Sequence, residues 1–428
     1  METIIMCIGT SLGAAMAFGW VTLGAVLAMG AANETPNKSG ARTKAADLSR
    51  LDTSGLGIDA NYPGGNIIVV KIEKDTVALR QDLGDTQGWW FYWNFRVRGA
   101  AGKTLTFKFT DRNPIGVRGP AVSTDGGASW AWLGRRTVRG PSFRFRFPQH
   151  VKDVRFSFAM PYQAADLKRF LKRHAASPHL LVKTLCKTRK GRTVERVHVG
   201  KLDGGPQYRI LLTCRHHACE MMASYCLEGI IEGILAETDD CAWFRQNVEV
   251  MTIPLVDKDG VEDGDQGKNR RPHDHNRDYA GESIYPSVRA LRQLVPKWSR
   301  GRLRFALDLH DPFIGGPHNE VIYQVGSPDA VIWKEQRRFG KILQAVQTGP
   351  LVYRAKDDLA YGKGWNTAKN YGTGKSFASW AGGLEGMLIA ATIEIPYANA
   401  AGRKVTAATA RAFGHDLARA IRGYLASR

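Results

Sequence analysis

The stretch YRILLTCRHHACEMMASYCLEGIIEGILAE, residues 208–237, joins two kinds of predicted secondary structure through a short polar turn. Its first seven residues form a mostly apolar run, which predicts a buried strand. Residues 221–237 carry apolar side chains at helical spacing, which predicts an amphipathic helix. Strands and helices that alternate in this way are typical of α/β domains.

The same alternation continues along residues 161–428. Further strands are predicted over 248–256, 302–310 and 386–398, and further helices over 164–175, 330–346 and 406–426. We therefore predict an α/β domain with a mixed, mostly parallel sheet flanked by helices. Ligand sites in such sheets lie beyond the carboxyl ends of the strands, so polar residues there are the candidates for chemistry.

Residues 51–160 have short strand patterns separated by turns that contain Gly, Asp and Pro. In SFRFRF, residues 142–147, the phenylalanines would face one way and the arginines the other, as in a strand with one buried face. Several such strands predict an antiparallel β-sandwich domain. We expect its tryptophans to pack in the core or between domains, with a carbohydrate-binding surface as the alternative; they are Trp89, Trp90, Trp93, Trp130 and Trp132.

The N-terminal region is apolar and carries no charge between Thr3 and Asn33. This run is long enough to span a bilayer, and residues 1–32 are predicted to be a signal peptide or a membrane anchor. Residues 33–50 are polar and are predicted to be a linker. We therefore expect an exported protein, periplasmic or secreted, with membrane contact only through an uncleaved leader; a misassigned start codon would make it cytoplasmic.

Cysteine usage and charge narrow the function only slightly. The six cysteines form no CxxC pair of the zinc-ribbon kind, while one disulfide within 214–241 and free thiols both stay open. The 60 basic and 40 acidic residues give a formal net charge of +20, which attracts acidic partners without choosing among them. Because there is no zinc finger, RNP-like motif or basic tail, we expect no nucleic-acid partner.

Two segments contain residues able to bind one metal ion. His217 and Glu220 lie three positions apart after the strand 208–214, although HxxE alone is a common chance pattern. His310 ends the predicted strand 302–310 and would reach the same sheet edge. Two imidazoles and a carboxylate are suitable zinc ligands and leave a fourth position open, as catalytic zinc requires. The expected cofactor is one Zn²⁺ per chain.

An ordered set of motifs includes these residues. It consists of HHACE, PLVDKDGV, DHNRDY, DLH and TIEI, at residues 216–220, 254–261, 274–279, 308–310 and 392–395. The set resembles the zinc metallocarboxypeptidases related to pancreatic carboxypeptidase A. The β-rich segment, which ends in FSFAMPY at 156–162, resembles the N-terminal domain of the cytosolic-carboxypeptidase-like branch, which includes deglutamylating enzymes. The resemblance covers roughly residues 65–425.

The resemblance implies a role for each residue around the metal. His217, Glu220 and His310 would bind zinc. Asp274 would accept a hydrogen bond from His217 and so fix its tautomer. Glu394 would be the catalytic base, which takes a proton from water and later passes it to the leaving amine.

The resemblance also implies residues that hold the substrate. Asn276 and Arg277 would bind the terminal carboxylate through charge-assisted hydrogen bonds. Tyr371 would close over the bound substrate. Four further histidines near these motifs are expected to lie in loops or behind the ligands: His216, His273, His275 and His318.

The chain departs from the family pattern at the arginine that stabilises the oxyanion. The corresponding position is Gly267, so Lys268 or Arg270 would supply the positive charge that this chemistry needs. Lys375 and Ser379 lie in the stretch expected to line the specificity pocket, where a lysine would favour an acidic C-terminal side chain.

The resemblance thus predicts a carboxypeptidase whose partners are the C-termini of peptides or proteins. An amidohydrolase that acts on N-acyl amino acids is one alternative, since such enzymes share HxxE. The Asn276–Arg277 pair, Tyr371 and the β-rich domain argue against it. A non-catalytic peptide-binding module is the other alternative, and the complete ligand set with Glu394 argues against that one. The oligomeric state is not predicted.

Overall fold

The computed structural model describes residues 55–428 except Pro317 and Thr373. The predicted leader, residues 1–32, and the predicted linker, residues 33–50, lie outside the described residues. Within these ranges, no helix combines the length and the apolar character that a membrane span requires. The five cysteines in this part of the chain are all free thiols. The structure therefore has no disulfide within 214–241 and agrees with the other option, free thiols.

The β-rich region contains two five-stranded sheets, ordered β1-β4-β10-β6-β7 and β2-β3-β5-β9-β8. Their strands are β1 (Gly57–Asp59), β2 (Ile68–Glu73), β3 (Thr76–Arg80), β4 (Asn94–Arg98), β5 (Thr104–Phe109), β6 (Ala121–Ser123), β7 (Ala131–Trp132), β8 (Val138–Arg139), β9 (Ser142–Arg146) and β10 (Asp153–Ser157). Neighbouring strands are antiparallel except for β3 and β5, which run parallel. The predicted antiparallel β domain is therefore confirmed, with one parallel pair that the sequence did not indicate.

Strand β9 follows its sequence pattern. Phe143 and Phe147 are almost fully buried, and Phe145 is partly buried against the same core, whereas Arg144 and Arg146 are exposed. Many of the buried side chains of this region are aromatic rings. Burying each phenylalanine contributes about 1.5–3 kcal/mol to stability.

The second region contains a seven-stranded mixed sheet, ordered β11-β12-β14-β13-β15-β17-β16. Its strands are β11 (Leu180–Lys187), β12 (Thr193–Gly200), β13 (Tyr208–Cys214), β14 (Val248–Ile253), β15 (Leu303–His310), β16 (Tyr323–Val325) and β17 (Ile389–Glu394). The four strands β14, β13, β15 and β17 run parallel, and antiparallel strands flank them. A separate hairpin pairs β18 (Asn399–Ala400) with β19 (Arg403–Lys404). The predicted α/β fold class is confirmed.

Helices cover both faces of this sheet. They are α1 (Ala164–Arg173), α2 (Met222–Leu235), α3 (Asp239–Asn247), α4 (Lys258–Asp263), α5 (Pro286–Ser299), α6 (Ala330–Val346), α7 (Ala368–Tyr371), α8 (Phe377–Gly382) and α9 (Ala407–Ala426), with short 3-10 turns at Arg135–Thr137, His275–Arg277 and Ala355–Asp357. Helices α2, α6 and α9 pack into one apolar cluster, and α5 and α8 into another. Gly229 and Gly414 let α2 and α9 touch, because a Cβ at either position would overlap backbone of the other helix.

Candidate active site

The carboxyl ends of three parallel strands meet at one edge of the sheet. His310 is the last residue of β15 and lies directly opposite Glu394, the last residue of β17. Strand β13 ends at Cys214, and the turn that follows it carries His217 and Glu220. The fold thus brings all four predicted metal and base residues to the same place.

The turn after β13 is held by buried polar contacts. Arg215 has a φ of 61°, which is strained for a residue other than glycine. Its guanidinium donates hydrogen bonds to the backbone oxygens of Ala218, at 3.2 Å, and of Tyr162, at 3.0 Å. Asp311 accepts hydrogen bonds from the backbone nitrogens at the start of α2, at 2.8 and 2.9 Å. These contacts fix the turn that presents His217 and Glu220.

The donor atoms of His217, Glu220 and His310 fit one metal ion. His217 Nδ1 lies 2.8 Å from Glu220 Oε1 and 3.1 Å from His310 Nδ1, and His310 Nδ1 lies 2.6 Å from Glu220 Oε2. Ligands about 2.0–2.2 Å from one tetrahedral zinc lie about 3.3–3.6 Å apart, so the three atoms converge slightly more closely than they would around a shared ion. The three side chains are almost fully buried at the wall of a 770 Å³ cavity.

A second cluster lies behind His310. Asp308 Oδ2 lies 2.5 Å from His310 Nε2, and Asp308 Oδ1 lies 2.8 Å from His216 Nδ1 and 2.7 Å from the hydroxyl of Thr213. His216 Nε2 in turn lies 2.7 Å from the hydroxyl of Tyr279. No role was assigned to Asp308 from the sequence. The DLH motif could have revealed its contact with His310, because residues two apart in a strand share a face.

Asp274 faces His217, as predicted, at a longer distance than a hydrogen bond. Its Oδ1 lies 3.6 Å from His217 Nε2, a nitrogen without a hydrogen-bond partner in the described part of the chain. The backbone nitrogens of Asn276 and Asn269 donate to the same carboxylate, at 3.0 and 3.3 Å. Burial raises the pKa of Asp274, but His217 together with the charges of Arg277 and Lys268 outweighs burial and holds this pKa well below its usual range.

Glu394 combines burial with a free oxygen. Burial is the main cause that raises its pKa to about 7, and the neighbouring Glu220 carboxylate raises it further, against the lowering charge of His310. Its Oε2 has no hydrogen-bond partner among the described residues, and the side chain lines the cavity. Such a carboxyl group can take up and release a proton near neutral pH.

The two cations proposed for the oxyanion have different surroundings. Lys268 Nζ lies 3.3 Å from His217 Nδ1 and 3.6 Å from Glu220 Oε1. Arg270 is buried, and its guanidinium forms ion pairs of 2.8–3.2 Å with three carboxylates, those of Asp85, Asp257 and Asp265. Arg270 is therefore occupied by carboxylates, whereas the ammonium of Lys268 lies beside the metal ligands.

Arg277 and Tyr371 lie together on the cavity wall. The guanidinium of Arg277 donates to the backbone oxygens of Asn276, at 3.0 Å, and Asn370, at 3.2 Å, which are both neutral acceptors. It lies 4.9 Å from the centre of the Tyr371 ring, and the Tyr371 hydroxyl donates to Asn366 Oδ1 at 2.9 Å. A positive charge thus faces the cavity beside an aromatic ring.

The side-chain amide of Asn276 contacts the backbone through its oxygen and faces His310 through its nitrogen. Its Oδ1 accepts from the backbone nitrogen of Phe377 at 2.9 Å, and its Nδ2 lies 3.3 Å from His310 Nε2. Asn276 therefore lines the cavity with its side-chain oxygen already occupied by the backbone.

Comparison with known proteins shows that two family models match this chain. The model of the cytosolic carboxypeptidase N-terminal domain matches residues 58–159, and the zinc carboxypeptidase model matches residues 167–310. The chain belongs to the zinc carboxypeptidase family. The predicted family, including its cytosolic-carboxypeptidase-like branch, is confirmed.

Two curated relatives and one solved structure show how far the similarity extends. Cytosolic carboxypeptidase 2 of Xenopus tropicalis is 24% identical over 56% of this chain and 29% of its own length. Cytosolic carboxypeptidase 6 of Caenorhabditis elegans is 23% identical over 60% of this chain and 62% of its own length. The chain thus matches less than two thirds of each relative. A metallo-carboxypeptidase from Burkholderia cenocepacia shares the fold, with a TM-score of 0.71 at 21% identity over 87% of this chain and 99% of that one.

The prediction of an exported protein is wrong on these findings. The matched N-terminal domain is that of cytosolic carboxypeptidases, and the curated relatives carry the same name. The prediction rested on apolar composition alone, and residues 1–32 lie outside the described residues. An apolar run is a property that leaders share with other segments, so composition did not decide the compartment.

Two further cavity residues differ from the expectation. Lys375 and Ser379 were expected in the specificity pocket, but the residue of that stretch that lines the cavity beside Tyr371 is Ser376, and the lysine at the rim is Lys369. Trp90, expected to pack in the core or between domains or else to form a carbohydrate-binding surface, lines the cavity. No local pattern distinguishes these residues, because their positions depend on contacts between distant segments.

Proposed function

We propose that this protein is a zinc-dependent carboxypeptidase that removes C-terminal residues from peptides or proteins. The observation that carries the proposal is the convergence of donor atoms from His217, Glu220 and His310 within 3.1 Å of each other at the cavity wall, with Glu394 beside them. One zinc ion per chain, held by these three residues, would polarise the scissile carbonyl and make hydroxide available near neutral pH.

Glu394 acts as the base in this proposal. As a carboxylate it takes a proton from the attacking water and, once protonated, delivers it to the nitrogen of the leaving amine. The pKa of about 7 applies without bound zinc, and zinc would lower it, so the carboxylate that acts as the base prevails near neutral pH. Such acid–base work contributes on the order of 10²–10⁴ in rate.

Lys268 stabilises the negative charge that develops on the carbonyl oxygen. Its ammonium lies beside His217 and Glu220, whereas the guanidinium of Arg270 is held by three carboxylates. A positive charge fixed where the oxyanion forms is worth on the order of 10²–10³ in kcat.

Arg277 reads the free carboxylate of the substrate. Its present partners are neutral backbone oxygens, so a carboxylate would be a stronger acceptor than either. Asn276 shapes the same wall, and Tyr371, on the short helix α7, covers the bound residue. A requirement for a free C-terminus follows directly from this arrangement.

An acidic preference is the finer part of the proposal. Lys369, at the exposed rim of the cavity, and the formal net charge of +20 support it. Lys375 lies outside the cavity lining and provides a matched control. Lys369→Gln should lower kcat/KM for a peptide ending in Glu more than for one ending in Gln, and Lys375→Gln should change neither.

The decisive experiment follows peptide mass in the presence of zinc. Wild-type protein should shorten peptides by single C-terminal residues, and amidation of the C-terminus should lower the rate at least about a hundredfold. Glu394→Gln should retain zinc and lose hydrolysis, because it removes the base but no ligand. Equal cleavage of the amidated peptide would favour an endopeptidase, and cleavage confined to N-acyl amino acids would favour an amidohydrolase.

A further inference from the structure

Trp90 belongs to the β-rich region but lines the cavity of the zinc carboxypeptidase domain. It precedes β4, in the irregular stretch that connects this strand to β3. Its ring stacks on Phe91, with centroids 5.3 Å apart and planes at 23°, and meets the edge of Phe313 at 5.1 Å. Two aromatic neighbours therefore fix the orientation of the indole.

The segment that carries Lys268 is attached to this stretch by a buried side chain. Gln266 is fully buried, and its amide pairs with both backbone groups of Tyr92: Oε1 accepts from the nitrogen at 2.7 Å, and Nε2 donates to the oxygen at 2.8 Å. Three residues further along, the oxygen of Asn269 accepts from the backbone nitrogen of Gln87 at 3.0 Å. Lys268 thus lies between two points of attachment to the β-rich region.

The other side of the same segment touches the turn with the metal ligands. The backbone oxygen of Gln266 accepts from the nitrogen of Cys219 at 3.2 Å. Gly267 has a φ of 76°, and a Cβ there would overlap the backbone nitrogen of Ala218. Only glycine permits this close approach at such a φ. The segment is therefore held between the β-rich region and the ligand turn.

The ammonium of Lys268 lies over the face of Trp90, 5.6 Å from the ring centre. The same ammonium lies 3.3 Å from His217 Nδ1. A lysine has a flexible stem and is a poorly preorganised donor unless its surroundings hold it. An aromatic face attracts the cation without neutralising its charge, and the carboxylate 3.6 Å away, that of Glu220, would be engaged by the metal ion it is proposed to bind.

We propose that Trp90 is a positioning residue, through which the β-rich region holds the Lys268 ammonium beside the metal ligands. The inference rests on the proposed function in one respect, namely that Lys268 stabilises the oxyanion. The structural part of the inference, that the position of Lys268 depends on Trp90, can be examined without measuring turnover. The β-rich region would then complete the active site instead of only adjoining it.

The test compares Trp90→Leu with Trp89→Leu in the full chain loaded with zinc. Trp89 is a matched control, because it is also half-buried and contacts Phe91 and Phe313, but it does not line the cavity. The first readout is the NMR signal of the Lys268 ammonium and its adjacent methylene, assigned by its loss in Lys268→Met. The ring current of Trp90 should shift this signal in wild type and in Trp89→Leu, and Trp90→Leu should remove the shift.

The second readout is peptide hydrolysis. Trp90→Leu should lower kcat about tenfold with KM and zinc content unchanged, since a loss confined to the transition state lowers kcat alone. Trp90→Phe should recover part of the loss, and Trp90→Leu should have no further effect in a Lys268→Met background. Zinc content and the thermal midpoint of each variant show that it is folded.

The outcomes separate the inference from the proposed function. An unchanged Lys268 signal in folded Trp90→Leu or Trp90→Phe overturns the inference, whether or not the wild type cleaves peptides. Normal kcat in Trp90→Leu, with an active wild type, overturns it too and leaves the carboxypeptidase proposal intact. A wild type that holds zinc and cleaves no peptide defeats the proposed function, while the NMR comparison still decides whether the Lys268 ammonium lies against the Trp90 ring.

Discussion

His216 and His217 are neighbours in sequence, yet they belong to two clusters with different chemistry. Each cluster combines a histidine, a carboxylate and the shared His310. Around His216 every ring nitrogen has a hydrogen-bond partner, and neither it nor Asp308 lines the cavity. Around His217 three donor atoms converge at the cavity wall and the remaining nitrogen has no hydrogen-bond partner among the described residues.

The comparison shows that residue types alone do not define a metal site. A buried cluster whose donors and acceptors satisfy one another is stable without an ion. A cluster whose lone pairs converge beside a cavity is completed by a cation instead. The two clusters meet at His310. Its Nδ1 faces Glu220 in the cluster beside the cavity, and its Nε2 contacts Asp308 in the cluster behind it.

Asp308, in the His216 cluster, also differs from Glu394, the carboxyl group beside the His217 cluster. Burial raises the pKa of both Asp308 and Glu394. His216 and His310 outweigh this at Asp308 and hold its pKa well below the usual range, so that it stays a fixed negative charge. At Glu394 burial prevails and the pKa lies at about 7, so that only this carboxyl group can exchange protons near neutral pH.

The largest expected effect separates the two adjacent histidines. His217→Gln should release zinc and lower kcat/KM on the order of a thousandfold or more, because it removes a ligand of the ion that polarises the carbonyl. His216→Gln should retain close to one zinc per chain and lose far less activity. Metal analysis and peptide hydrolysis of both variants check this, and equal zinc loss in the two would show that the clusters were assigned wrongly.

A smaller effect is expected from the residue behind the shared ligand. Asp308→Asn should weaken zinc binding about 10–100-fold, since it removes the charge that orients His310 and raises its basicity. Thr213→Val is the graded control, because it removes one hydrogen bond to Asp308 and keeps the carboxylate. Competition with a chelator measures both affinities, and an unchanged affinity in Asp308→Asn would reduce the second cluster to a packing role.

The smallest effect concerns pH and compares Glu394 with Asp308. Glu394 is protonated below its pKa and is a base only above it, so kcat/KM should rise with pH. Bound zinc favours the carboxylate, so the midpoint should be no higher than about 7, with activity falling about tenfold per unit below it. The fall in kcat/KM at low pH, the acid limb of the pH–rate profile, should persist in Asp308→Asn. A pH–rate profile whose acid limb centres at 8 or above would assign the essential proton to another group.

Much of the fold could be predicted from local patterns. The predicted strand 208–214 is β13 residue for residue, and the predicted helix over 330–346 is α6. Burial on one face imposes a period that the sequence records directly. Strand β11 escaped prediction because its side chains are largely exposed, and β16 because it has only three residues. Neither strand carries an alternation long enough to recognise.

The order and types of residues along the chain determined the family, the α/β fold and the identity of the candidate ligands, because strand ends and motif spacing are local properties. Only the tertiary structure decided that Asp308 joins His216 to His310, that Lys268 and not Arg270 lies beside the ligands, and that Trp90 reaches the site. Each of these facts depends on contacts between distant segments, such as that of Gln266 with Tyr92. The spacing of apolar residues within one segment does not show which distant segment will contact it.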